Sequence, residues 1–410
     1  MSELIVPGAP ADNNEATAVT NPTAPATPVP TIIDKLDSLE SVLNGELVER
    51  RAEIRGVITA LVGGTTMFML GPPGTGKSWL VNRVLKYVSV PRHFDILMTR
   101  FTTPEEMFGP VSLKGLENDE FVRKIEGFLA DSDAAFVDEI FKANSSILNA
   151  LLWAINERQY RHGNSIIQIP LATLFTASNE LPQDESLAAL YDRLLLRFDV
   201  KPIRDSGNFV KMLRNGKEKN PAAILAWEEL QNARAEAAKV VVPEGVLTAI
   251  ADVRKELISK GIENTERRYM ESLRAVKAVA YLDGCTQADV EHLRPLENIL
   301  WERPEQIATV SEIISKIANP LDSEAQALIE QLTTLESKLD SIGVGEDRYR
   351  TGTEIHGKLR RARKDLETLE QRAGGSRRKA EMVGEAKATL KRLTQRVLNE
   401  VFEVDGDVAV

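Results

Sequence analysis

The sequence predicts an α/β domain built on a mainly parallel sheet, followed by a small all-helical domain and a C-terminal helical bundle. Short apolar runs alternate with helical stretches up to about residue 200. Residues 205–310 show helical spacing almost throughout, and beyond Pro320 leucines recur at alternating four- and three-residue steps. Strands that alternate with helices indicate parallel pairing, because each crossover helix returns the chain to the same end of the sheet.

The chain begins with a segment of different composition. Residues 1–30 are rich in Pro, Ala, Thr and Asn. Such a segment buries too little apolar surface to offset its ordering entropy, so a disordered tail is predicted. From Ile32 to Leu61, apolar residues recur at helical spacing, which predicts two helices separated at Asn44-Gly45.

Four apolar runs are candidate strands of an α/β core that occupies residues 31–203. They are Thr66–Leu70, Phe94–Met98, Ala134–Val137 and Leu171–Thr176. The helical domain that follows is assigned to residues 204–310. The last region, 311–410, is predicted to contain three long helices. A heptad seam marks the first of them, formed by Leu328, Leu332, Leu335, Leu339 and Ile342. Gly343–Gly352 and Gly374-Gly375 are predicted to separate the three helices.

Residues 71–78 form a complete G-x-x-x-x-G-K-[ST] phosphate loop between a predicted strand and a predicted helix. The loop is Gly71, Pro72, Pro73, Gly74, Thr75, Gly76, Lys77 and Ser78. Its glycines let backbone N–H groups turn toward a phosphate; Lys77 reaches the β- and γ-phosphates, and the Ser78 hydroxyl binds Mg²⁺. Trp79 lies in the first turn of the following helix, whose N-terminal dipole favours phosphate. The loop predicts a nucleoside triphosphate with Mg²⁺, and because the sequence contains no Asn-Lys-x-Asp motif, ATP is favoured over GTP.

An acidic pair ends the apolar run Ala134–Val137. Asp138 is placed to hold Mg²⁺ through its water shell, and Glu139 to polarise the attacking water as a general base. Asn179 follows another apolar run and is a candidate for orienting that water. An asparagine at the end of a strand also commonly forms a turn, which is the simpler explanation of this residue taken alone.

Two arginine pairs are candidates for contacts with the γ-phosphate. Arg193 and Arg197 are four residues apart, which places both on one face of the helix predicted here. Neither easily serves its own nucleotide, so they are candidates for an arginine finger donated to a neighbouring subunit, worth ~10³–10⁵ in rate. Arg267 and Arg268 open a helix of the small domain, where either could report the nucleotide state. The alternative for the first pair is a surface salt bridge, and for the second pair it is a solvated helix face.

In this order the motifs resemble those of AAA+ ATPases, and more narrowly the MoxR family and its RavA branch. The stretches that carry the resemblance are Leu70–Gly74, Met98–Pro110, Val137–Ile140, Ala154–Gln159, Ala177–Pro182 and Ala189–Arg193. The resemblance covers residues 35–310. It implies an AAA+ ATPase core at 31–203 and a helical AAA+ lid at 204–310, with the region 311–410 as a three-helix stalk.

The resemblance also implies a role for each candidate residue. These roles are Walker A for Lys77 and Ser78, Walker B for Asp138 and Glu139, sensor 1 for Asn179, arginine finger for Arg193 with Arg197 as the alternative, and sensor 2 for Arg267 with Arg268 as the alternative. The family carries two insertions near the central pore of a ring. Here Gly109–Gly127 would be the helix-2 insertion, and Glu157–Ile169 the pre-sensor hairpin.

Partners follow from the same resemblance. It implies a ring, typically a hexamer, with ATP bound between subunits and a partner that contains a von Willebrand factor A domain. The implied role is chaperone-like remodelling or maturation of a protein complex whose identity the sequence does not give. RavA proteins insert a β-rich, decarboxylase-binding domain into the stalk, but Gly343–Gly352 is too short to hold one. The three-helix stalk is therefore carried over, and the decarboxylase link is not.

Composition limits the competing functions. The 410 residues carry a net charge of −10, from 51 basic and 61 acidic side chains, which argues against a chain built to coat nucleic acid. A nucleic-acid translocase is still an alternative, because the hairpin carries Arg158, Arg161 and His162. A nucleotide-gated scaffold is another. One cysteine excludes an intramolecular disulfide, and four histidines without ligand spacing argue against a structural metal. Without a membrane-length apolar run or a secretory signal, the predicted location is cytoplasmic.

Overall fold

The computed structural model describes residues 31–215, 222–318, 320–340, 346–373 and 380–401. The predicted disordered tail and the predicted Gly374-Gly375 break lie outside these ranges. The strands are β1 (Met67–Leu70), β2 (His93–Leu97), β3 (Ala134–Asp138), β4 (Gln159–His162), β5 (Ser165–Gln168), β6 (Thr173–Ser178) and β7 (Leu196–Asp199). The helices of the first 215 residues are α1 (Ile32–Glu46), α2 (Arg51–Gly63), α3 (Lys77–Tyr87), α4 (Pro104–Phe108), α5 (Leu113–Glu117), α6 (Ser145–Glu157), α7 (Glu185–Arg193) and α8 (Ser206–Asn215). Those beyond it are α9 (Trp227–Lys239), α10 (Glu244–Ser259), α11 (Glu266–Leu282), α12 (Ile307–Ala318), α13 (Pro320–Asp340), α14 (Glu346–Ala373) and α15 (Ala380–Val401).

Among the described residues, five parallel strands form the central sheet in the order β2-β3-β6-β1-β7. The four predicted strands are confirmed, with ends shifted by one or two residues. The helix predicted to carry both Arg193 and Arg197 is wrong in its second half. Helix α7 ends at Arg193, and β7 then pairs with β1. A short apolar run such as Leu194–Phe198 fits a buried strand as well as a helix, and periodicity alone does not separate the two.

Successive side chains of each strand enter opposite cores. Met67 and Met69 pack with α1, α2, α3 and the helices beyond residue 222, whereas Phe68 and Leu70 pack with α4, α6 and α7. The lid helices therefore share a continuous core with one face of the sheet. The predicted boundary at residue 310 falls within α12, whose buried residues up to Ala318 belong to this shared core.

Helices α13, α14 and α15 enclose a separate apolar core. Four heptad positions, Leu328, Leu332, Leu335 and Leu339, are buried in it as predicted. Gly352 was expected to lie in a break between helices, but it lies within α14. A Cβ built there would come 2.3 Å from a Val401 Cγ atom, so this glycine lets α14 and α15 approach closely.

The two predicted insertions pack on each other at one end of the core. Strands β4 and β5 form an antiparallel hairpin with His162 opposite Ser165. The tip residue Gly163 lies against Phe121 of the other insertion, and the rings of Phe108 and Tyr160 stack with centroids 5.0 Å apart. No described helix is long and apolar enough to cross a membrane.

Candidate nucleotide site

The phosphate loop connects the end of β1 to the start of α3. Gly74 and Gly76 adopt left-handed φ values of 80° and 84°, which side chains with a Cβ rarely tolerate. Arg50, a buried residue just before α2, forms hydrogen bonds that hold the loop in place. Its Nη2 donates to Thr75 O at 3.0 Å and to Lys201 O at 2.8 Å, which fixes the loop to the segment after β7.

Lys77 lies in the first turn of α3. Its Nζ donates to Gly71 O at 2.8 Å and to Pro72 O at 3.0 Å. Burial lowers the pKa of Lys77, while the nearby charges of Asp138 and Glu139 oppose that shift. The two carboxylates therefore help to keep the ammonium form that phosphate binding requires.

Ser78 and Asp138 meet at the carboxyl edge of the sheet, where the Ser78 Oγ lies 3.4 Å from Asp138 Oδ2. A hydroxyl and a carboxylate at this separation fit Mg²⁺, which prefers oxygen ligands and usually takes its remaining ligands from water and substrate phosphates. Within the described ranges, no group of three or more His, Cys, Asp or Glu could hold a metal by itself.

Glu139 follows β3 with a φ of 54°, an uncommon backbone conformation for a residue with a side chain. Its N–H donates to Asp138 Oδ1 at 3.0 Å, which links the two acids. Its Oε2 is buried, accepts no hydrogen bond from the described residues, and lies 3.4 Å from Lys142 Nζ. Among the described residues, this carboxylate oxygen is therefore held by the charge of Lys142 and not by a hydrogen bond.

The sheet order places Asn179 beside the phosphate loop. Strand β6 lies between β1 and β3, and its last residue, Ser178, accepts a hydrogen bond from Gly71 N–H at 3.0 Å. Asn179, the next residue, therefore emerges between the phosphate loop and the acidic pair. The structure brings together every predicted residue of Walker A, Walker B and sensor 1.

A cavity of about 510 Å³ adjoins the phosphate loop. Its apolar wall consists of Leu47, Val48, Trp79, Ile203, Phe209 and Met212. Of these residues, only Trp79 was predicted from the sequence. These residues come from α3, α8 and the segments after α1 and β7, so no short motif marks them. A phosphate loop beside an apolar wall fits a nucleotide, with its phosphates on the loop and its base against the wall.

Arg193 and Arg267 lie at the other edge of the sheet. They line a cavity of about 270 Å³ together with Thr66 and Leu195, which precede β1 and β7. Because all strands of the sheet are parallel, this is the amino edge, opposite the phosphate loop. The Arg193 Nε donates to Asn156 Oδ1 at 2.7 Å, and burial, followed by the charge of Arg267, lowers the pKa of Arg193.

The alternative finger, Arg197, is an interior residue with 1% of its surface exposed. Its guanidinium donates to the carbonyl oxygens of Leu194, Trp301 and Tyr191 at 2.6–3.1 Å and lies over the Tyr191 ring. The assignment of Arg197 as a possible exposed finger is therefore corrected, because its donors are occupied inside the subunit.

The alternative sensor, Arg268, is also 1% exposed. It donates to the carbonyl oxygens of Ile299, Asp192, Leu194 and Leu195, and burial lowers its pKa to about 9. Arg268 joins α11 to the α7–β7 connection and has no donor directed at a phosphate. The sensor-2 alternative at Arg268 is corrected on the same ground, whereas Arg267 beside it is exposed.

The parallel sheet, phosphate loop, acidic pair and helical lid define the class: this protein is an AAA+ ATPase. A family model described as the MoxR domain in the MoxR-vWA-beta-propeller ternary systems matches residues 34–239, and a model described as an AAA lid domain matches residues 245–314. The first match covers half of the chain. The protein belongs to the MoxR family.

Related proteins extend the similarity beyond the ATPase core. Uncharacterized proteins MJ0079 and MJ0812 of Methanocaldococcus jannaschii are 37% and 38% identical to this chain over 360 and 354 residues. These matches cover 86% and 85% of this chain and 94% of each relative, so the similarity reaches into the stalk. The structural protein ORF618 of Acidianus two-tailed virus is 28% identical over 179 residues, which are 42% of this chain and 28% of that protein.

A solved structure supports the fold. The crystal structure of "a putative ATPase" from Cytophaga hutchinsonii superposes with a TM-score of 0.56 at 17% identity. The match covers 70% of this chain and 94% of that chain. At this identity the comparison supports the architecture alone.

Proposed function

We propose that this protein is a ring-forming, ATP-driven remodelling ATPase in which each nucleotide is bound by one subunit and contacted by Arg193 and Arg267 of the next. The observation that carries this proposal is the position of the two arginines at the amino edge of the sheet. Thr66, just before β1, lies at the amino edge, and Gly71, just after it, lies at the carboxyl edge. At ~3.3 Å per residue, these two positions are about 16 Å apart. Neither arginine is positioned to reach its own phosphate loop.

The residues at the carboxyl edge of the sheet have separate roles in the proposed hydrolysis of ATP. Lys77 and the loop N–H groups hold the phosphates, and Ser78 and Asp138 would hold Mg²⁺, which neutralises phosphate charge when bound. Glu139 accepts the proton of the attacking water, which Asn179 orients. All of these side chains belong to one subunit, and Lys77 is the one cation among them.

Arg193 and Arg267 of the neighbour supply further cations at the γ-phosphate. A guanidinium placed there stabilises the charge that develops on the transferred phosphoryl group. Both arginines lie where α7 meets the lid. Their neighbours join the two elements there, since the Thr265 hydroxyl donates to Asp192 Oδ1 at 2.8 Å. Contact with the neighbour's nucleotide would therefore act on the core and the lid together.

A protein client fits the exposed surface of the two insertions. Leu113 and Phe121 of the first insertion and Ile166 of the hairpin are exposed apolar residues, as is Phe101, which is 89% exposed. Clusters of exposed apolar side chains are typical of surfaces that bind protein. Of the basic residues assigned to the hairpin, Arg158 is held against the protein backbone by Gly64 O, which weakens the translocase alternative.

The family description supports a more specific assembly. The matching family model is defined by systems that combine MoxR with vWA and β-propeller proteins. We therefore propose a partner with a von Willebrand factor A domain and a hexameric ring. The stalk is RavA-like in having three helices, without an inserted decarboxylase-binding domain.

Mixed rings test the shared site. Arg193→Ala and Lys77→Ala subunits should each be inactive alone, because the first lacks the arginine finger and the second lacks the lysine of the phosphate loop. Mixing them should restore ATP hydrolysis at interfaces that combine an intact phosphate loop with an intact finger. Mixing Lys77→Ala with Glu139→Gln is the matched control, since each subunit then retains a defect at its own nucleotide. If the first mixture stays inactive, or if Arg193→Ala alone is fully active, Arg193 does not act across the interface.

A further inference from the structure

A second concave site lies beside the C-terminus of α2, between α9 and α11, with a volume of about 480 Å³. Of the described residues that line it, three are basic, Arg234, Arg274 and Lys277, and none is acidic. Arg158 reaches the same backbone from the adjoining cavity, where its Nη2 donates to Gly64 O at 3.4 Å. We call these four residues the basic cluster.

The positive charges of the basic cluster are not balanced by the protein around them. Burial, followed by the charges of Arg234 and Arg274, lowers the pKa of Arg158 to about 10. Burial and Arg274 likewise lower the pKa of Arg234. Glu271 opposes the shift at Arg158 and pairs with Arg274 at 3.3 Å. The described lining of the cavity contributes three cations and no carboxylate, so the cavity itself is positively charged.

Backbone carbonyls satisfy only some of the donors. Lys277 Nζ donates to Ala238 O at 3.0 Å, while the contact from Arg234 Nη2 to Ala172 O is long at 3.5 Å. The Arg158 Nη1 is buried and has no hydrogen-bond partner among the described residues. A buried guanidinium without a partner for each donor is costly. An anion bound in the cavity would relieve the repulsion between Arg234 and Arg274.

Capping of α2 is the simplest alternative explanation. The partial negative charge at a helix C-terminus attracts cations within its last turn. Gly64 ends α2 with a φ of 63°, and a Cβ there would come 2.6 Å from Arg234 Nη2, so Arg234 packs on bare backbone. Capping therefore accounts for Arg234 and Arg158. It does not account for Arg274 and Lys277, both on α11, which line a cavity whose described lining includes no acidic residue.

We propose that this cavity binds a phosphate-bearing anion through Arg234, Arg274 and Lys277. Guanidinium groups match the oxygen geometry of phosphate, and the cavity is much larger than a single carboxylate requires. The described lining includes no aromatic side chain on which a base could stack, so the phosphate part of the ligand is what the site recognises.

The phosphate has two possible sources. It is free in solution, or it belongs to the nucleotide of the adjacent subunit, since Gly64 and Arg274 also line the cavity of Arg193 and Arg267. The second source rests on the proposed ring function, whereas the first does not. The experiment below separates them.

Binding of inorganic pyrophosphate tests the site directly. The full chain carrying Lys77→Ala, which removes the main phosphate contact of the loop, is titrated with pyrophosphate by calorimetry without Mg²⁺. Adding Arg234→Gln and Lys277→Gln should weaken binding at least tenfold. Adding Lys255→Gln and Lys260→Gln, which removes the same charge from exposed positions on α10 and at its end, should leave it unchanged. Adding Arg193→Gln and Arg267→Gln instead should also preserve it.

Thermal unfolding checks that loss of binding is not loss of structure. Pyrophosphate should raise the Tm of the parent and of the Lys255/Lys260 control, but not that of the Arg234/Lys277 variant. The single substitution Lys277→Gln at a half-exposed position gives a second test if the double variant does not fold. Absence of pyrophosphate binding by the parent, or equal affinity in the Arg234/Lys277 variant and its control, would overturn the proposal.

ATP hydrolysis by the assembled protein identifies the source. With Lys77 intact, Lys277→Gln should raise the KM for ATP if the cavity holds phosphates of the neighbouring nucleotide. An unchanged KM together with lost pyrophosphate binding assigns a free anion. If the mixed-ring experiment fails, the pyrophosphate titration still decides whether the site exists.

Discussion

Glu139 combines an uncommon backbone conformation with a carboxylate oxygen that lacks a hydrogen-bond donor. Its φ of 54° and its link to Asp138 fix where the carboxylate points. Glu139 and Asp138 both lie near Lys77. We propose Glu139 as the general base, because Asp138 is the acid that lies beside Ser78.

Replacing Glu139 with Gln should separate binding from hydrolysis. The amide keeps the shape but accepts no proton at neutral pH, so turnover should fall by about 10²–10⁴-fold. Nucleotide binding, measured with a fluorescent ATP analogue, should change little because Lys77 and the loop are intact. Glu117→Gln, at an exposed position on α5, is the matched control and should retain full phosphate release. Near-normal release by Glu139→Gln would reassign the base.

Glu53 is a buried acid whose charge works against the fold. Burial raises the pKa of its carboxyl, Arg50 opposes this shift, and Asp199 adds to it. The folded protein thus holds this proton more tightly than the unfolded chain, whose Glu pKa is near 4.5. The stability cost is absent below that value and grows as the pH rises through the higher pKa of the folded state.

Glu53→Gln should therefore stabilise the protein at neutral pH and not in acid. We expect the Tm at pH 7.5 to rise by about 2–4 °C, the shift produced by about 1 kcal/mol. The difference should shrink as the pH approaches 4.5. Thermal scans across this range measure it, with the exposed substitution Glu312→Gln as the control. A variant that is less stable at pH 7.5 would show that the carboxylate makes a net favourable contact.

At the scale of elements, the start of α11 assigns different roles to two adjacent arginines. Arg267 is exposed beside Arg193, whereas Arg268 points inward and bonds to carbonyls of the α7–β7 connection and to Ile299. A helix turns by about 100° per residue, so neighbours in sequence face different surroundings. One arginine is available to a ligand and the other fixes the lid to the core.

Substitution should separate these roles. Arg268→Ala leaves several buried carbonyls without donors and should lower the free energy of unfolding by about 3 kcal/mol or more. Arg267→Ala should lower ATP turnover with a stability change of about 0.5 kcal/mol or less. Denaturant unfolding and phosphate release, measured on both variants, check the pair. Equal stability of the two variants would contradict the anchoring role of Arg268.

The stalk contains a matched pair of glycines in one helix. Gly352 faces Val401, and Gly357 in the same α14 has no atom within 4 Å of a built Cβ. Gly357→Ala should stabilise the helix by about 0.5–1 kcal/mol through helix propensity. Gly352→Ala should instead destabilise the stalk by about 1–3 kcal/mol, because the added methyl overpacks the α14–α15 contact. Amide hydrogen exchange in α14 and α15 of the full chain measures both, and faster exchange in Gly357→Ala would contradict the argument.

At the scale of the whole molecule, the two halves of the proposed catalytic site lie at opposite edges of one sheet. A single subunit then has no complete site, however well its phosphate loop is formed. Specific ATPase activity should consequently rise steeply with protein concentration and level off once rings have formed. Sedimentation at the same concentrations gives the assembly state. Constant specific activity in a range where the protein is monomeric would contradict a site shared between subunits.

Residues close together in the sequence were predicted well because their chemistry depends on local backbone. Gly71–Ser78 and the Asp138–Glu139 pair carry their geometry in a loop and a strand end. The parallel sheet followed from the alternation of apolar runs with helical stretches, and three of the four predicted strands, β1, β3 and β6, are buried almost throughout. The heptad leucines of α13 likewise identified their own buried face.

The remaining assignments depended on packing between distant segments. Sequence spacing could not show that Arg197 lies within a strand. Nor could it show that the carbonyl oxygen of Trp301 accepts a hydrogen bond from Arg197, or that of Ile299 one from Arg268. A charged side chain is expected at the surface. Arg197 and Arg268 are buried instead, because carbonyl oxygens from distant parts of the chain accept their hydrogen bonds. Local geometry was thus determined by the sequence. Which arginines are free to meet a nucleotide was decided by the tertiary structure, because availability depends on what the rest of the chain brings to each guanidinium.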